Sequence, residues 1–110
     1  HLTLSAQMLA YMDIANKYAQ PVTFKDINLN VPEMPAFVLH KILVQPLRND
    51  GAKKEKDAAT IRSLSDLIID RAELTTRTKE IFSEFPPKWR NKILSEAKEK
   101  YPNIVKALEG

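Results

Sequence analysis

The segment PAFVLHKILV, Pro35 to Val44, is apolar at every position except His40 and Lys41 in its middle. A helix that is apolar all round is a buried helix, so the rest of the chain has to wrap it. Lys41 is the exception that needs an explanation. Phe37 lies one turn before it and Val44 nearly one turn after it, so the stem of the lysine runs along an apolar face. An ammonium buried there alone costs several kcal/mol or loses its proton. A carboxylate partner is therefore expected.

The next helical segment offers one. From Ala52 to about Ile69, the residues Ala58, Ile61, Leu64 and Ile68 form a stripe at helical spacing, and Asp57 heads it. Two antiparallel helices joined by the loop between them would bring Lys41 and Asp57 together. The plain alternative stays open at this point. A lysine can lay its stem along apolar surface and lift its ammonium into water. Asp57 can simply favour the N-terminal half of its own helix.

Punctuation divides the remainder. The sequence has two glycines, Gly51 and Gly110, while prolines fall at 21, 32, 35, 46, 86, 87 and 102. That balance favours helices separated by proline stops. Ser5 to Tyr18 reads as a helix with Met8, Leu9, Met12 and Ala15 on one face, closed by Pro21. QPVTFKDINLNV then alternates with period two, Val22 and Phe24 before Lys25-Asp26, and Ile27, Leu29 and Val31 after. This predicts a short hairpin, although Lys-Asp is not a favoured turn pair. Pro35 suits the first turn of the apolar helix, and Asn49, Asp50 and Gly51 mark a loop. Ala72 to Phe85 predicts a helix with Leu74, Thr78, Ile81, Phe82 and Phe85 inward. Pro86-Pro87 start another, with Trp89, Ile93, Ala97 and Tyr101 on one face, and Ile104 to Leu108 add a turn or two beyond Pro102. The fold class is α+β, mainly helical, with a short β-hairpin near the N-terminus followed by a helical bundle.

Several chemistries are excluded by absence from the sequence. A phosphate-cradling loop needs clustered glycines, and Gly51 is isolated. His1 and His40 are the only histidines, too few for a histidine zinc site, and no strand-turn-helix elbow presents a serine. Cysteine is absent, which removes disulfides and thiolate chemistry and suits a reducing cytoplasm. No run of apolar residues is long enough to span a membrane. The net charge of +3 is mildly basic and compatible with a polyanionic partner. At 110 residues the chain has the size of one small domain. It begins at His1 without an initiator methionine, which predicts a piece of a longer product.

In order along the chain, AYMDIANKYAQPVTF, INLNVPEMPAFVLHKILV, KKEKDAATIRSLSDLI and PPKWRNKIL resemble segments of bacterial nucleotidyltransferase-like proteins of the DNA polymerase β-type superfamily. Val31-Pro32, Phe37, His40-Lys41, Lys56-Asp57 and Trp89-Arg90 fill that pattern, which spans nearly the whole chain. The resemblance implies that residues 1–50 are the C-terminal end of a nucleotidyltransferase-like α/β domain and that 51–110 form a helical bundle packed on it. It implies that Lys41 contacts a nucleoside triphosphate, with His40, Arg48, Lys53 and Lys56 as further phosphate-facing groups. On the same resemblance Asp57 would take the catalytic place, positioning the lysine or assisting the acceptor. It also implies Mg²⁺, held in the superfamily by an Asp-x-Asp strand after a Gly-Ser or Gly-Gly turn. This sequence departs there. Neither glycine is followed by Ser, Thr or Gly, and no Asp-x-Asp occurs. Mg²⁺ is accordingly expected only in a complete parent protein, and this chain alone is predicted to be inactive.

Two rivals follow from the residues themselves. One is a non-catalytic basic module that places Arg48, Lys53, Lys54, Lys56 and Arg62 on nucleic acid. The other is an interaction bundle that associates with a partner or with itself through an exposed apolar hairpin face. Trp89 with Ile93 reads as core rather than as a base-stacking platform, which would need several aromatics.

Overall fold

The apolar segment forms the centre of the molecule. The computed structural model describes Tyr11, residues 17–47 and residues 51–109. Helix α1, Met34–Val44, buries Ala36, Val38, Leu39, Ile42 and Leu43 completely. It is surrounded by α2 (Gly51–Asp70), α3 (Ala72–Ser83) and α4 (Pro87–Lys100), and α5 (Pro102–Glu109) closes the bundle against those three. The fold is thus α+β, a small antiparallel hairpin followed by five helices. The expected helix over Ser5–Tyr18 falls mostly outside the described residues, as do Met8, Leu9, Met12 and Ala15; Tyr11 and Lys17 are helical.

The expected helical stripes are inward. Ile61 and Ile68 of α2, Thr78 and Ile81 of α3, Ile93 and Ala97 of α4, and Ile104 and Ala107 of α5 are all fully buried. Two buried hydroxyls on these helices are satisfied locally: Ser65 donates to the Ile61 carbonyl and Thr78 to the Leu74 carbonyl at 2.7 Å. No Gly or Pro separates α2 from α3. The break is one extended residue, Arg71, with φ −123°. The Ile68 carbonyl at the end of α2 accepts from the Thr75 hydroxyl at 2.7 Å and from the Arg71 N–H at 3.3 Å. Trp89 is half-buried and packs edge-on against Tyr11 at 5.1 Å and Phe85 at 5.8 Å between ring centroids, so it belongs to the core margin.

The hairpin pairs β1 (Ala19–Phe24) with β2 (Ile27–Pro32) in antiparallel register, Val22 opposite Leu29 and Phe24 opposite Ile27. The strand starts before Pro21, so this proline lies within β1 rather than marking the end of the preceding helix. The turn is made by Lys25 at φ 50° and Asp26 at φ 64°. Both central residues of a type I′ turn need positive φ, and Asp accepts it more readily than Lys. Val22 and Ile27 lie on one face near this turn and remain 39% and 58% exposed. The side chains of Phe24 and Leu29 lie outside the described set.

A polar latch fixes the base of the hairpin to α3. Arg77 donates from Nε and Nη2 to the two carboxylate oxygens of Glu33 at 2.8 and 2.7 Å, a fork-to-fork pair. Glu33 precedes α1, and its carbonyl accepts the Phe37 N–H at 2.9 Å, which opens that helix. The Tyr18 hydroxyl donates to Glu84, and the Tyr18 carbonyl accepts the Glu33 N–H at 2.9 Å. The Arg77 hydrogen bonds hold the Glu33 carboxyl below its usual range. Burial, and then the Glu84 carboxylate, push the Tyr18 hydroxyl up to about 12.

Two outcomes follow for stability. Leu39→Ala or Ile42→Ala should cost about 2–5 kcal/mol in urea denaturation, and Val22→Ala within about 0.5 kcal/mol. Because the folded state lowers the Glu33 pKa, its stabilisation is present above the ordinary carboxyl value of 4.5 and is lost as pH falls through the lowered one. The gap in urea midpoint between wild type and Glu33→Gln should therefore be full at neutral pH and close in acid. A gap that persists unchanged in acid contradicts the latch.

Candidate functional site

Lys41 and Asp57 meet. The Lys41 Nζ donates to Asp57 Oδ1 at 3.0 Å, across the α1–α2 interface, with 20% and 12% of the two side chains exposed. Local structure explains each position. Lys41 lies in the last turn of α1, where a cation is favoured by the helix dipole, and its ammonium stands 5.4 Å from the centroid of the Phe37 ring one turn earlier. Asp57 heads the inward stripe of α2, above the fully buried Ile61 and Ile68. The ammonium thus runs over aromatic surface to a carboxylate at the rim of the core, and stays partly open to solvent. Neither the fully solvated lysine nor the unpartnered aspartate of the plain alternative is what the chain forms.

The other expected phosphate-facing residues are distributed around this pair. His40 is half-buried on α1, about 100° around the helix from its neighbour Lys41. Lys53 and Lys56 are exposed on α2. At about 100° per residue they fall on one flank of Asp57, about 40° and about 100° away, while Lys54 falls about 60° away on the other flank. Arg48 lies outside the described residues. The KKEK run, uniform in sequence, is therefore divided by the helix. Lys53 and Lys56 share the flank away from Lys54, and Lys54 joins a different group of side chains.

That second group is not evident as a unit in the sequence. Gln45, in the 3₁₀ turn Gln45–Leu47 after α1, is 4% exposed. Its Nε2 donates to the Lys54 carbonyl at 2.9 Å, and its Oε1 accepts the Tyr101 hydroxyl. This side chain ties the end of α1 to the start of α2 and the end of α4. The sequence signal for it is a glutamine placed at the end of an otherwise apolar run, immediately before Pro46.

Among the described residues no three of His, Cys, Asp and Glu converge. Asp57 is engaged with an ammonium, which is the wrong neighbour for a divalent cation. The described residues therefore do not fit the Mg²⁺ that the resemblance implies for a complete enzyme, and no step is derived through it. No helix among the described residues is long and apolar enough to cross a membrane. No family model, curated protein or solved structure matches this chain.

Separating the pair should be costly, and replacing both members much less so. Lys41→Met or Asp57→Leu alone should each destabilise by about 3 kcal/mol, because each leaves a partly buried charge uncompensated. The double substitution should recover most of that loss. Additive effects of the two single changes in denaturant unfolding would show that the groups do not interact.

Proposed function

We propose that this chain is the C-terminal portion of a nucleotidyltransferase-like protein and that Lys41 presents its ammonium to the phosphates of a nucleoside triphosphate. The observation that carries this reading is the 3.0 Å contact between Lys41 Nζ and Asp57 Oδ1 in a partly open position. An ammonium has three donors, and Asp57 takes one of them. The others remain for a phosphate, which lysine binds as a compact point charge. Asp57 acts here as a positioning residue. It fixes where the charge of the lysine sits.

Nucleotidyl transfer depends on positioning and charge stabilisation more than on covalent chemistry from the protein, so a held cation is a useful contribution. The chain's own part in such a reaction is to bind and orient phosphates. On this reading the metal-binding carboxylates of the superfamily come from a part of the parent protein outside this sequence, and the setting is the reducing cytoplasm. The resemblance in the segments around Phe37, His40-Lys41 and Lys56-Asp57 supports the assignment, and the helix pairing of Lys41 with Asp57 supplies its physical basis.

Titration with a fluorescent nucleoside triphosphate tests it. Lys41→Gln should weaken binding at least tenfold, Asp57→Asn should weaken it less, and Lys88→Gln, on the exposed start of α4, should leave it unchanged. A folded Lys41→Gln variant that binds as well as wild type contradicts the proposal.

A further inference from the structure

On the flank of α2 that turns away from Lys53 and Lys56, a groove of about 380 Å³ lies between the start of α2 and the end of α4. That volume falls within the range of small-ligand sites. Its walls bring together Lys54, Arg62 and Lys100 from positions far apart in sequence, against one carboxylate, Glu55. No carboxylate among the described residues forms an ion pair with Lys54 or Arg62. Lys100 stands 3.5 Å from Glu96, a half-exposed pair of the kind worth little in water and readily given up to a stronger anion.

The floor is built and polar. Gln45 has both ends of its amide engaged, by the Lys54 carbonyl and by the Tyr101 hydroxyl, so it is held in one orientation. Tyr101 is 1% exposed, and burial raises the pKa of its hydroxyl, while the positive charges of Lys100 and Arg62 act to lower it. Gly51, the first residue of α2, also lines the groove, and a Cβ there would meet nothing within 4 Å. Among the described residues no aromatic side chain lines the groove, so its recognition rests on charge rather than on base stacking.

We propose that this groove is a second anion site, in which Lys54, Arg62 and Lys100 hold adjacent phosphate groups. It is separate from the Lys41–Asp57 pair, about 110° around α2 from Asp57 at its centre, and does not depend on the reading given to that pair. Adjacent phosphates come either from a free polyphosphate or from the backbone of a nucleic acid, and the chemistry of recognition is common to both.

The test titrates the chain at low salt with inorganic tripolyphosphate and, separately, with a labelled single-stranded oligonucleotide. At least one probe should bind. Arg62→Gln should weaken that binding about fivefold, and Lys54→Gln with Arg62→Gln more than tenfold. For the oligonucleotide, the double variant should also flatten the salt dependence, by about one in slope for each phosphate left unneutralised. Lys88→Gln should bind as wild type. Arg62 is exposed, so thermal melts of its variant should match wild type and separate weakened binding from impaired folding. Sensitivity confined to the oligonucleotide assigns the backbone as the source, and sensitivity confined to tripolyphosphate assigns a free polyphosphate. Failure of the wild type to bind either probe, or equal binding by wild type and the double variant, overturns the proposal. Equal binding by wild type and the double variant leaves the role of Lys41 untouched, since that role is read from the Lys41→Gln variant.

Discussion

One helix without a polar face organises this protein, and the single ammonium on it decides how the next helix must sit. Burying Ala36, Val38, Leu39, Ile42 and Leu43 completely requires neighbours on every side of α1. That requirement is non-directional, since apolar surfaces pack in many registers. Lys41 narrows the choice. An ammonium at the margin of the core is favoured where a carboxylate meets it, and Asp57 on α2 is at 3.0 Å. The hydrophobic effect supplies the driving force, and the ion pair selects among the arrangements it would allow.

The hairpin depends on a different device. Two strands alone are marginal in water, and the exposed Val22 and Ile27 add little burial. What holds the pair of strands in place is their base: Glu33 is gripped by Arg77 through two hydrogen bonds, and Tyr18 is linked to Glu84. Both partners come from α3 or the residue just after it. The latch and the Lys41–Asp57 pair thus act at the two ends of α1, one fixing the chain that enters it and the other fixing the helix that follows.

Much of this is legible in the residues. The apolar run, the proline stops and the inward stripes of α2 to α5 have local causes, and the structure follows them closely. Asp57 is legible as a partner because it stands on the same stripe as Ile61 and Ile68, so burial of the stripe carries it inward. The latch is not, because Glu33 and Arg77 are far apart in sequence and neither departs from its local pattern. Charge runs mislead for a related reason. KKEK is one cluster in sequence, yet a helix sends Lys53 and Lys54 to opposite flanks of Asp57, and Lys54 gains Arg62 and Lys100 as neighbours. Gln45 can be suspected from its place at the end of an apolar run, but its partners, the Lys54 carbonyl and Tyr101, depend on how three helices pack.

The central claim is that Asp57 holds the Lys41 ammonium in place while leaving it donors for a phosphate. Proton–nitrogen correlation spectra of the lysine ammonium groups address this directly. The account predicts one slowly exchanging ammonium signal that disappears in Lys41→Gln, broadens in Asp57→Asn, and shifts when a nucleoside triphosphate is added. A Lys41 signal that exchanges as fast as those of the solvent-exposed lysines, and that responds neither to Asp57→Asn nor to the nucleotide, would contradict it.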